Sequence, residues 1–241
     1  MRGRSVNPDR INLISSYCDR WCERCAFTSR CALFEVQVAI GICNVEEGIE
    51  LAVGPPHPEG QDASPIDSPD WVTEFESDEM TPAESAYFDR CERECDARLD
   101  DTTIMKIAEA FSMLAHEWLT THHESVRLGA DDVLHEALEI AAYDALFIAA
   151  KLRRALRGRD DHERNDDDDP HPIQNDWNGS AKTALISIER SCVAWRTIAQ
   201  ATSNETATLL AAELEDLRRE VEAVFPNAQS FIRPGFDEPW G

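Results

Sequence analysis

Residues 131–156, DDVLHEALEIAAYDALFIAAKLRRAL, decide the fold. Leu134, Leu138, Ala141, Ala145, Ile148 and Leu152 fall alternately four and three residues apart, which puts them on one face of an α-helix. The pattern predicts a helix from Asp131 to Leu156 that stops at Gly158. The same period precedes it, where Ile104, Ala108, Phe111, Ala115 and Trp118 form a stripe on a helix expected over Thr102 to His123. Further upstream, Thr81-Pro82-Ala83-Glu84 combines a hydroxyl N-cap, a proline at the first helical position and a glutamate at the third. That capping box opens a helix expected over Pro82 to Leu99.

Downstream, RDDHERNDDDDPHPIQNDWN (159–178) has no apolar period and reads as a solvated loop. A helix over Ser180 to Ala201 then buries Ala184, Ile188, Cys192, Trp195 and Ala199, and a turn falls near Ser203. The next helix, capped by Thr202 with Glu205 three residues on, buries Leu210, Leu214, Leu217 and Val221 until Pro226 stops it. These segments predict a mainly α fold, a helical bundle of four to five helices, with Phe231, Phe236 and Trp240 of the tail packed back across it.

Ahead of the bundle, residues 1–50 form a cysteine-rich head in which Ala32–Cys43 (ALFEVQVAIGIC) reads as a buried helix. Residues 51–80 are acidic and rich in proline, a linker or strap, and residues 81–241 are the bundle, with head and bundle expected to pack as one unit. The chain has 241 residues, 47 acidic and 23 basic, for a net charge of −24. Such a field repels phosphate backbones and anionic membranes, which excludes nucleic acid and membrane surfaces as partners and favours a protein with a basic surface. The run Asp166–Asp169 reads as part of a solvated acidic face. No secretory signal or membrane span is read from the residues, so the cytoplasm is the expected compartment, where thiols stay reduced.

Chemistry concentrates in YCDRWCERCAFTSRC (17–31), where Cys18, Cys22, Cys25 and Cys31 fall within fourteen residues. A CxxC pair directs two sulfurs at one centre, and the outer two cysteines complete a four-thiolate shell. Such a shell suits tetrahedral zinc or a [4Fe–4S] cluster. Structural zinc sites pair two knuckles separated by about 12 or more residues, whereas one compact run favours the cluster. Arg20, Arg24 and Arg30 interleave with the cysteines and suit either centre.

Two family patterns meet at these residues. Cys18, Cys22 and Cys25 match the CxxxCxxC spacing of radical S-adenosylmethionine enzymes, but Arg24 stands where that family has an aromatic residue and no alternation of strand and helix follows. The stretch CERCAFTSRC is similar in spacing to the cluster loop of endonuclease III-type DNA glycosylases, whose implied cofactor is a [4Fe–4S] cluster. There the first cysteine lies further upstream than Cys18 does here. The head, NGSAKTALISIERS (178–191) and FIRPGFDE (231–238) together resemble an uncharacterised bacterial family, which implies no activity.

Other donors are weighed against ordinary roles. Cys91 and Cys95 share a helix face as ligands or, with Phe88, as core, while Cys43 and Cys192 read as small hydrophobes. A di-iron bundle oxidase draws on Glu109, His116, Glu117, His122, His123, His135, Glu136, Glu139 and Asp144, yet no Glu-x-x-His is present and most of these fall off the apolar stripes. Asp144 is the exception, a buried carboxylate for which Arg153 or Lys182 is the expected partner. His162 and His171 stand in the acidic loop. Gly179 and Lys182 lie at a helix start without the glycine spacing of a P-loop.

Overall fold

A computed structural model describes residues 10–11, 16–42, 81–164 and 171–237. Among the described residues there are six α-helices and no strand: α1 (Ala32–Ile42), α2 (Pro82–Asp100), α3 (Thr103–Arg127), α4 (Asp132–Arg164), α5 (Asp176–Thr202) and α6 (Glu205–Val224). The mainly α expectation holds. The 51–80 linker, Cys43, the run Asp166–Asp169 and Trp240 lie outside the described residues.

The chain divides into two compact units, one of residues 1–12 with 26–94 and one of residues 13–25 with 95–241. The boundary parts Cys25 from Ala26 and crosses α2 between Glu94 and Cys95. In the first unit, Ile11 pairs with Cys31 by Ile11 N–H to the Arg30 carbonyl (2.9 Å) and Ala32 N–H to the Ile11 carbonyl (3.1 Å). Arg10 pairs with Glu35 of α1 at 3.0 Å.

The second unit is a four-helix bundle. Helix α3 packs on α4, α4 on α5, α5 on α6 and α6 back on α3, so the apolar stripes close around one core. Ile104, Phe111, Leu138, Ile148, Leu152, Ile188, Trp195, Leu210, Leu214 and Leu217 are all fully buried in it. Trp118 of α3 meets Trp195 of α5 edge to face, with ring centroids 5.2 Å apart.

The capping box is formed as expected: Glu84 N–H donates to Thr81 Oγ1 at 3.3 Å, and Thr81 N–H donates to Glu84 Oε2 at 2.8 Å. Three expectations are corrected. Helix α4 runs through Gly158 to Arg164, because pairs such as Arg164–Asp160 (3.0 Å) and Arg159–Glu163 (3.5 Å) sustain the extra turns. Helix α5 starts at Asp176, not Ser180, with Asn175 accepting from Asn178 N–H at 2.9 Å. Helix α6 is capped by Asn204, which accepts from Ala207 N–H at 3.1 Å. Thr202 instead ends α5, and Ser203 turns the chain at φ 52°. No described helix is long and apolar enough to cross a membrane.

The core also holds Ser187 and Ser191, whose hydroxyls are buried without a hydrogen-bond partner among the described residues. Leu214→Ala is expected to cost about 2–5 kcal/mol in denaturant unfolding, the range for a fully buried leucine. Ser187→Ala is expected to be neutral or stabilising by about 1 kcal/mol, because it removes an unsatisfied hydroxyl without opening a cavity.

Candidate metal centre

The segment of residues 16–25 is tied to the bundle by polar groups that reach it from α4 and α5. The buried Ser16 carbonyl accepts from Lys151 Nζ (3.1 Å) and Ser180 Oγ (3.2 Å). The Tyr17 ring sits 6.0 Å from Phe231 and 6.1 Å from Phe236 of the tail. Gly179 leaves room for that tail, since a Cβ there would stand 3.0 Å from the Phe231 ring. The Asp19 carbonyl accepts from Tyr143 Oη at 2.6 Å, and Asp19 Oδ2 accepts from Arg190 Nη1 at 2.5 Å. Trp21 stacks on Tyr143 with centroids 4.4 Å apart and planes 8° from parallel. The Arg24 guanidinium lies 4.3 Å from the Trp21 centroid and pairs with Glu139 (2.5 Å) and Glu136 (3.3 Å).

Within this frame the backbone bends around a sulfur. Arg20 adopts φ 60°, a region costly for a residue with a Cβ, and its N–H donates to Cys18 Sγ at 3.2 Å. Cys22–Arg24 then form a short 3₁₀ turn, with Cys25 N–H donating to the Cys22 carbonyl at 3.2 Å. Cys18 is buried, while Cys22 and Cys25 are half-buried. Burial pushes the Cys18 thiol up, the Arg20 N–H opposes that, and the nearby charges of Asp19, Cys25 and Cys22 raise it further. Cys22 and Cys25 therefore both lie within electrostatic reach of Cys18. Their Sγ atoms do not all fall within 4.8 Å of each other. In the other unit, Cys31 is buried at the head of α1, and its Sγ accepts the Phe34 N–H at 3.3 Å.

Charges beneath the segment are perturbed in ways that follow from burial. Lys151 is pulled down to about 8, chiefly by burial. Tyr143 is pushed up to about 12, again chiefly by burial, so it remains a phenol that donates to Asp19. Asp144 is fully buried, and both its oxygens accept from Arg190, Nε at 2.9 Å and Nη2 at 2.7 Å. Burial raises the Asp144 carboxyl and Arg190 pulls it back. Arg190, against burial, is held charged above its ordinary range by Asp144 and Asp19.

The partner of Asp144 is thus Arg190, correcting the expectation of Arg153 or Lys182. Arg153 is taken by Asp100 (2.5 Å) and Glu109 (2.8 Å). Lys182 holds Asp237 (2.8 Å) and the Phe231 carbonyl, which makes the Asn175–Lys182 helix start structural. Of the groups weighed for a di-iron site, Glu109 pairs with Arg153, and Glu136 and Glu139 pair with Arg24. His122 Nδ1 lies 3.0 Å from the Trp118 carbonyl and His135 Nδ1 3.0 Å from that of Asp131, while His116 and Glu117 are exposed and His123 is half-buried. His162 stacks on Trp177, and His171 Nδ1 accepts from the N–H groups of Ile173 and Gln174.

Among the described residues, the donors that do come within 4.8 Å of one another are Cys95, Asp160 and Asp161. Asp160 already pairs with Arg98 (2.8 Å) and Arg164 (3.0 Å), and Cys95 Sγ donates to it at 3.5 Å, so this group is an ion-paired junction between α2 and α4. Cys91 does not pack with a buried Phe88 as expected; Phe88 is exposed on α2. Cys192 is a small buried side chain, as expected.

Sequence reading missed Lys151, Tyr143 and Arg190. Lys151 alone left a signal, a cation between Ile148 and Leu152 on the apolar side of α4. Comparison with protein-family models, curated proteins and solved structures finds no match to this chain.

Arg190→Met is expected to destabilise the bundle by about 3–5 kcal/mol, because it strands a buried carboxylate. The double variant Asp144→Leu/Arg190→Met is expected to regain most of that in chemical denaturation. Asp237 has a pKa that burial works to raise, but hydrogen bonds from Arg233 and Lys182 outweigh burial and hold it well below the usual carboxylate range. Its stabilising contribution is present above the unfolded value of about 4 and is lost as pH falls through the folded one. Asp237→Asn is therefore expected to be less stable than the parent at pH 7, with the gap closing in thermal melts run towards pH 2.

Proposed function

We propose that this chain is an iron–sulfur protein in which Cys18, Cys22, Cys25 and Cys31 bind a [4Fe–4S] cluster, with a role in electron transfer, redox sensing or bracing the bundle in the cytoplasm. The observation that carries the reading is the Arg20 N–H directed at Cys18 Sγ by a residue at φ 60°. A non-glycine residue in that region costs on the order of 1–2 kcal/mol, and what it gains is a backbone donor on sulfur. Donors of that kind stabilise thiolate ligands and set the potential of clusters.

Three further features support it. Cys18, Cys22 and Cys25 lie in one compact unit on a segment already fixed by α4 and α5, and Cys31 carries its own backbone donor. The Cys22 and Cys25 thiols both lie within electrostatic reach of Cys18. Lys151, Arg24 and Arg190 place cations around the segment in a chain of net charge −24, where a thiolate-bound cluster brings negative charge. When bound, the cluster supplies reversible one-electron chemistry. The protein fixes the sulfurs, aims N–H groups at two of them and keeps Cys18 from water. The acidic surface favours a redox or docking partner with a basic face.

Anaerobic purification is expected to yield about four irons and four acid-labile sulfides per chain. A visible absorption should bleach with dithionite and disappear on Cys22→Ser but not on Cys192→Ser. A colourless protein with a single zinc sinks the iron assignment and leaves a zinc-braced interaction module; two irons without sulfide, lost on His135→Ala or Glu136→Ala, point to the di-iron oxidase.

A further inference from the structure

We infer that Arg190 is a positioning residue for this centre: anchored by Asp144, it holds Asp19 and so sets the Cys18–Cys25 segment in its binding shape before metal arrives. The inference rests on the cluster reading above.

The guanidinium is used on three sides. Nε and Nη2 take both oxygens of Asp144, and Nη1 is left to reach Asp19 Oδ2 at 2.5 Å. Its carbon lies 5.2 Å from the Trp21 ring centroid and 5.9 Å from that of Tyr143, so it also lines the stack that Trp21 makes with α4. A fully buried carboxylate at position 144 brings a desolvation penalty that leucine would not. Its presence is explained by the arm of Arg190 that points away from it.

Asp19 is the point of transmission. Besides accepting from Arg190, its Oδ1 accepts the Trp21 N–H at 3.1 Å and its carbonyl accepts from Tyr143. Those bonds fix the backbone on both sides of Arg20, whose N–H is thereby aimed at Cys18 Sγ. A segment ordered in advance avoids the entropy cost of ordering on binding, which strengthens binding without adding a ligand. Lysine cannot replace Arg190, because one ammonium cannot grip both Asp144 oxygens and still reach Asp19. By reciprocity, loading the centre stabilises the bundle through the same residues.

The test uses the full chain, purified anaerobically, as wild type, Asp19→Asn and Arg190→Lys. Asp19→Asn leaves the buried Asp144–Arg190 pair intact, so its apo form is expected to melt within about 4 °C of wild type, a difference of under about 1 kcal/mol. Each protein is reconstituted with ferrous iron and sulfide at limiting concentration, and occupancy, midpoint potential and the rise in melting temperature on loading are measured. Asp19→Asn and Arg190→Lys are both expected to show at least about tenfold weaker loading, a smaller rise on loading and a displaced potential. Loading, potential and thermal rise equal to wild type in both variants overturn the inference while leaving the cluster reading intact. Failure of the wild type itself to take up iron and sulfide overturns both.

Discussion

The ion pair between Asp144 of α4 and Arg190 of α5 is the interaction on which the rest depends. It lies between the two helices with the most extensive packing, and Asp144 has no exposed surface. A buried pair of this kind gives little net stability over hydrophobic residues of similar volume, but it is intolerant of misalignment. Two parallel N–H···O bonds fix the register of α4 against α5 more narrowly than leucine packing does. With that register set, Tyr143, Lys151 and Ser180 stand where they can reach the carbonyls of Asp19 and Ser16.

The cysteine segment is therefore held mainly by buried polar contacts, whereas the tail is held by a mixture of aromatic packing and charge. The tail closes over Tyr17 with Phe231 and Phe236, and Lys182 and Arg233 converge on Asp237. Three stretches far apart in sequence, residues 16–25, 178–191 and 231–237, thus meet in one unit. Each supplies part of the support for one segment.

What could be read from the residues follows the range of the forces involved. Apolar periods of three and four placed the stripes of α3 to α6, because a helix face is a local pattern that burial alone enforces. The capping box at Thr81 was legible for the same reason. Gly158 misled because its cost of about 1 kcal/mol is outweighed by the ion pairs of the following turns. Thr202 misled because Asn204, two residues on, is the better cap once Ser203 takes the left-handed turn. The cysteine spacing was visible, but its support was not. Arg190 is 46 residues from Asp144 and 171 from Asp19, and pairs at such separations leave no period to detect.

Charge is distributed unevenly around the cysteine segment. With twice as many acids as bases, the chain's average surface repels anions, and a buried lysine displaced to about 8 shows what keeping a cation near Ser16 costs. Arg24 and Arg190 both lie against Trp21, and each pairs with carboxylates that orient it. Cations near Ser16 and Asp19, a backbone donor turned towards Cys18 Sγ and a residue at positive φ thus converge on one short segment, residues 16–25.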